Sequence, residues 1–189
     1  MTPSFLSIAT RIVPLVLTIG LLGTQAAAEV PITYTDAGRA LFRFDAPDFW
    51  SIRTGGARLL SAPDTEEKRD VSRLIGLKPT RDPHVWVGFV SPQGISNFKQ
   101  GIEYLRDIGP SLVKDPVTIS RKDKRVNGLK AASFAGTGQR DGKTVNYTAV
   151  LIDLPGNRIA VSVVVIEPGA DAETLDAVNA IFSSFRAAR

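Results

Sequence analysis

Short turns in the second half of the chain constrain the fold most. Asn127-Gly128, Arg140-Asp141-Gly142-Lys143 and Pro155-Gly156-Asn157 separate runs rich in β-branched and apolar residues. Turns this short can only reverse a strand onto its neighbour, so the pairing they impose is antiparallel. The runs they delimit are Val117 to Ser120, Leu129 to Gly138, Thr144 to Leu154 and Arg158 to Ile166. The last of these, RIAVSVVVI, is apolar without alternation, the mark of a strand covered on both faces and hence central.

The first half carries weaker versions of the same signals. Ile32 to Thr35 and the run through Leu41, Phe42 and Phe44 are two strands around the turn Asp36-Ala37-Gly38. Ala46-Pro47-Asp48 ends the second, and Phe49 to Arg53 is a third strand, stopped by Gly55-Gly56. Arg58 to Ser61 is a candidate fourth strand, and Val85 to Val90 is strongly strand-like. Between them, Asp64 to Arg73 is so dense in charge that it reads as an exposed loop or short surface helix.

Two stretches are helical. Phe98, Ile102 and Leu105 fall on one face of a helix over residues 97–108, with Ser96 as its cap and Gly109-Pro110 as its stop. Asp171 caps a second helix, Ala172 to Phe185, whose Leu175, Val178, Ile181, Phe182 and Phe185 make an apolar stripe facing the sheet. The fold class is therefore α+β, an antiparallel β-sheet flanked by helices. No repeat or long linker interrupts it.

The amino terminus addresses the protein rather than folding it. Arg11 precedes the apolar run Ile12 to Leu22, and Ala26-Ala27-Ala28 follows as an A-x-A exit. Residues 1–28 are expected to be a cleaved, Sec-type secretory signal peptide, leaving 29–189 as a single domain in the periplasm. The apolar run is about half the ~20 residues a spanning helix needs, so no stable membrane span is expected after cleavage. The chain has no Cys, which removes lipid attachment, thiol catalysis and disulfides. About 160 residues can hold a core without staples.

The chemistry-bearing residues are sparse. His84 is the lone His and precedes a strand, so it reads as an ordinary strand-end His; metal sites of the His/Cys kind need more such ligands. Gly136 to Thr144 invites a phosphate-loop reading, but Thr137 and Asp141 stand where the two known fingerprints need Gly. A strand follows instead of a helix, so the segment is a hairpin turn. Asp45 and Asp48 flank Ala46-Pro47 without calcium-loop spacing and read as turn chemistry. No catalytic constellation, metal site or cofactor site emerges.

Lys and Arg number 23 against 19 Asp and Glu, a formal charge of +4. The densest basic stretch, Arg121-Lys122-Asp123-Lys124-Arg125, is either the solvated end of a strand or a contact patch for an acidic protein, anionic lipid or polymer. Nucleic acid is not expected, because the protein is exported and the patch lacks interleaved aromatics. Trp50 and Trp86 are the largest apolar side chains and read as core anchors, with an exposed Trp50 as a candidate partner contact.

The order of several segments resembles a known superfamily. FRFDAPDFW (Phe42 to Trp50) comes first, then a middle helix, then VNGLKAASF (Val126 to Phe134) running into the long hairpin. A helix ending in FSSF (Phe182 to Phe185) closes the chain. This resembles the PsbP-like superfamily, with its exported bacterial PsbP-like and DcrB-like members. The resemblance covers nearly all of residues 29–189 and implies an α/β/α sandwich with a binding or assembly role and no established catalysis. It carries no catalytic residue onto this chain. The expected function is an exported, non-catalytic binding or accessory protein that contacts an envelope protein, with Trp50, Arg121, Lys122, Lys124 and Arg125 as candidate contacts and no cofactor. The alternatives are a small-ligand or lipid carrier, and a hydrolase with a dispersed site.

Overall fold

The computed structural model describes residues 28–55, 58–61, 68–71 and 73–188, the two short middle segments as backbone only. The expected signal peptide, apart from Ala28, lies outside the described residues.

The chain opens with a hairpin, β1 (Glu29–Asp36) and β2 (Arg39–Pro47). Ala37 and Gly38 both take positive φ in the turn, the conformation that matches the twist of the two strands. The short strand β12 (Arg186–Ala187) adds to β2 and completes a three-stranded sheet.

The larger sheet has seven strands. They are β3 (Trp50–Thr54), β6 (Ile75–Pro79), β7 (Val85–Val90), β11 (Arg158–Ile166), β10 (Lys143–Leu154), β9 (Leu129–Arg140) and β8 (Lys114–Val126), in that spatial order. Every neighbour is antiparallel. β11, the segment without alternation, is the fourth of seven, and its residues from Ile159 to Val165 are all buried. The turns Asn127-Gly128 and Asp141-Gly142 again have both residues at positive φ.

A separate pair, β4 (Arg58–Ser61) and β5 (Lys68–Val71), corrects the expectation of a loop or surface helix around residues 64–73. Pairing with β4 supplies backbone partners that composition alone does not reveal; the intervening residues 62–67 lie outside the described residues. β6 was not anticipated either. Its buried side chains are Ile75, Leu77 and Pro79, and Gly76 and the exposed Lys78 interrupt the apolar run. Gly76 is there for space: a Cβ on it would stand 3.3 Å from Trp86 Nε1, and one on Gly88 would stand 2.4 Å from Trp86 Cη2. The half-buried Trp86 indole thus lies across two glycines of adjacent strands, the close approach that strand glycines often mark.

The seven-stranded sheet is covered on both faces. Helix α2 (Ala172–Ser184) and the three-stranded sheet share one core with Val87, Phe89, Val150, Ile152 and Val164. Phe42, Phe44, Phe89 and Phe185 in it are fully buried, with ring centroids 4.4 Å apart for Phe44–Phe89 and 5.0 Å for Phe42–Phe185. Burying each such ring is worth about 1.5–3 kcal/mol. Helix α1 (Phe98–Leu112) covers the other face, where Phe98, Ile102 and Leu105 pack beside Leu151, Val161 and Val163. The fold is α+β with helices on both sides of an antiparallel sheet.

Both helix starts are held by side chains. Asp171 caps α2 through Thr174 N, as the sequence predicts. The cap of α1 is Asn97 rather than Ser96: its Oδ1 accepts from Gln100 N at 3.0 Å, while Gln100 Oε1 takes the N–H and hydroxyl of Ser96. Nor does Gly109-Pro110 stop α1, which runs to Leu112. Gly109 has no Cβ to clash with the proline ring, and the helix closes with Val113 N–H on Gly109 O at 2.9 Å.

Candidate functional site

The site forms where the carboxyl-terminal half of α1 stands off from strands β8, β9 and β10. Phe134 and Tyr147 floor a cleft there with Ala149 and Val163, and its volume is about 390 Å³. Ile102, Leu105 and Leu112 of α1 form one wall, and Pro116 and Thr118 of β8 form the other. The lining is mostly apolar, with the polar groups few: Arg106 and the hydroxyls of Thr118 and Tyr147.

Local sequence explains why β8 lies as it does. Its pairing with β9 shifts twice, between Lys114 and Val117 and between Thr118 and Ser120. Asp115 takes positive φ, and Pro116 offers no N–H. Opposite these irregularities stand Gly136 and Gly138. A Cβ on Gly136 would come within 2.0 Å of Val117 O and 2.7 Å of the Tyr147 hydroxyl; one on Gly138 would come within 2.2 Å of Val113 Cγ1. The two glycines let β8 close onto β9 and let the Tyr147 phenol lie over the strand. There it meets Thr118 Oγ1 at 2.8 Å.

β8 is also an edge, paired only on its β9 side among the described residues. Nearly all its side chains are exposed, including Val117 at 61% and Ile119 at 71%. Pro116, the two register shifts and the run of Lys and Arg are the features that keep an edge strand from pairing with another copy of itself.

The predicted contact residues scatter. Arg121 is exposed and places its guanidinium 5.6 Å from the ring centroid of Phe134, which floors the cleft. Lys122 is exposed. Lys124 lies on the opposite face, its Nζ 5.9 Å from the ring of Phe182 on α2, where burial pulls its pKa down. Arg125 donates to Gly128 O at 2.7 Å, within its own hairpin. Trp50 is 4% exposed and belongs to the core, so it offers no surface for a partner in this conformation.

Sequence reading passed over Arg106, Thr118, Tyr147 and Asp82. Asp82 is 5% exposed and accepts from His84 N at 2.9 Å and from Asp171 N at 3.1 Å, with His84 Nδ1 at 2.8 Å. Burial raises the Asp82 pKa, but these bonds and one from Thr174 outweigh it and hold the carboxyl below its ordinary value. The adjacency Asp82-Pro83-His84, an Asp two residues before a bonded N–H, is the one sequence signal for this turn. His84 is thus not alone, but its partner serves to fasten β7 to the start of α2, and no hydroxyl bonds to His84 among the described residues. Asp45 pairs with Arg186 at 3.1 Å and ties β2 to β12. Among the described residues no group of three His, Asp or Glu is placed to hold a metal ion. No helix among them is long and apolar enough to cross a membrane.

No protein-family model matches the chain, and no curated protein sequence does. Several solved structures are similar in outline. The solution structure of cyanobacterial PsbP from Synechocystis sp. PCC 6803 is 10% identical with a TM-score of 0.48, over 88% of this chain and 96% of that one. LpqN, involved in cell envelope biogenesis of Mycobacterium tuberculosis, is 17% identical with a TM-score of 0.47, over 86% and 91%. A protein from Bacteroides thetaiotaomicron VPI-5482 is 10% identical with a TM-score of 0.48; the chain spans only 45% of its length. At these identities and scores the likenesses concern architecture and carry no argument about function.

Proposed function

We propose that the protein is an exported, non-catalytic accessory module that docks onto an envelope protein through the β8 side of its large sheet. The carrying observation is the exposure of Val117 and Ile119 on a thirteen-residue edge strand that continues into Arg121, Lys122, Lys124 and Arg125. Isolated exposed apolar residues are common. Two of them on an open edge, next to four cations, favour an acidic partner that covers apolar surface, with the charges setting approach and register. The signal-like amino terminus supports a partner in the periplasm.

Crosslinking in the native envelope tests this, comparing the natural chain with a Val117→Asp/Ile119→Asp variant of unchanged melting temperature. A recurrent partner that survives high-salt washing and disappears with the variant supports docking through β8. An identical crosslink profile for both chains refutes it, as does turnover of an envelope substrate by the purified protein alone. The apolar cleft under α1 favours a second reading, a small-ligand carrier.

A further inference from the structure

We propose that the cleft between α1 and strands β8–β10 binds a single-chain amphiphile with an anionic head group, and that Arg106 and the Thr118–Tyr147 hydroxyl pair recognise the head. The inference deepens the carrier reading, on which it rests, and is independent of the docking reading, which uses a different face of β8.

Three observations converge on it. The cleft, about 390 Å³, lies at the small end of the range for ligand sites and is lined by aliphatic and aromatic carbon from five elements. That suits one chain or ring rather than a two-chain lipid. Its polar groups are few and all can donate. Arg106 can only donate hydrogen bonds and carries a fixed positive charge. It is exposed, and among the described residues no carboxylate forms an ion pair with it.

The hydroxyl pair adds a second donor. Thr118 and Tyr147 share one hydrogen bond at 2.8 Å, which uses one of their two O–H hydrogens. The other is left for an acceptor in the cleft. A carboxylate or phosphate oxygen accepts from both groups, and a cationic head accepts from neither. The tail would lie on Phe134 and Ala149, removing apolar surface from water on both sides.

Calorimetric titration of the purified protein with decanoate, below its micelle concentration, tests the proposal, with decyltrimethylammonium as the probe of opposite charge. Decanoate is expected to bind once per chain. The cation is expected to bind at least about tenfold more weakly, and Arg106→Gln to weaken decanoate by about tenfold, the scale of one charge-assisted contact. Ala149→Phe, which fills the cleft floor, is expected to abolish binding. If that variant does not melt like the natural chain, the surface variant Arg106→Gln decides alone. Absence of decanoate binding, equal binding of the two probes, or full affinity in Arg106→Gln would overturn the proposal. None of these outcomes bears on the crosslinks of the Val117/Ile119 surface.

Discussion

Asp82 is the residue whose loss should be felt furthest from its own position. Asp82→Asn keeps the shape and removes the charge. The carboxylate accepts from the N–H of His84, the N–H of Asp171 and the Thr174 hydroxyl, and contacts the His84 ring. An amide keeps one acceptor oxygen and turns its NH₂ toward donors on the other side. Hydrogen bonds to a charged group are worth about 1.5–3 kcal/mol net, and a buried donor left unpaired costs about 1–3 kcal/mol. Losing one such bond and orphaning one N–H gives a cost of about 3 kcal/mol. For a domain of this size that is a fall in melting temperature of roughly 6–12 °C. Urea unfolding followed by tryptophan fluorescence reads the same quantity as a midpoint shift at constant slope.

The pH dependence makes the test sharper. The folded carboxyl sits below the ordinary 3.8 that the unfolded chain regains. Its contribution is therefore full above about 3.8 and drains away as pH falls through the lower, folded value. The gap between the natural chain and Asp82→Asn should stay constant from about pH 7 to 5 and close in acid below 3.8. His84→Ala removes only the ring contact and should cost about 1 kcal/mol. A shift under about 0.5 kcal/mol for Asp82→Asn near neutrality, or a gap that does not close in acid, would refute the account of Asp82 as the fastening of α2.

Other substitutions probe the edge of the sheet and its neighbours. Gly136→Ala would drive a methyl to within 2.0 Å of Val117 O, so it should destabilise by about 1–3 kcal/mol and raise amide exchange selectively along β8; unchanged exchange there would contradict the close approach. Asn127 holds positive φ and donates to Ser183 O and to Phe185 O at 2.7 Å, so Asn127→Gly should cost about 1–2 kcal/mol through the lost bonds alone. Asn127→Ala should cost more, since it adds backbone strain, and thermal melts of the pair separate the two contributions. Burial pushes Tyr104 up to about 12 and Tyr34 upward too. Their neutral forms favour folding below the ordinary value of 10.0, and this is lost as pH rises through the raised values, so tyrosinate absorbance from these two should appear together with alkaline unfolding.

What the sequence made legible follows from which forces are local. The turns Asn127-Gly128 and Asp141-Gly142 name their own geometry, because few residues accept positive φ twice in succession. β11 declares its central place because burial on both faces erases the alternation. Asp171 declares its cap because the cap acts within three residues. By contrast β6 has an apolar pattern too short to read, and its Gly76 is explained only by Trp86, which arrives from the neighbouring strand. The cleft was equally hidden: Arg106, Thr118 and Tyr147 come from three elements, and no spacing links them.

The basic run shows how a correct observation can mislead about shape. Arg121 to Arg125 is contiguous in sequence, and contiguity suggests one patch. Inside a strand, however, successive side chains point to opposite faces. Arg121 accordingly lies over Phe134 on the α1 face, and Lys124 lies over Phe182 on the α2 face. No flat partner can meet both side chains from one face. A partner that meets both must lie along the edge itself, where the faces join, and that edge carries the open backbone of β8. The split of the charge therefore supports docking along the strand and argues against docking flat on either face.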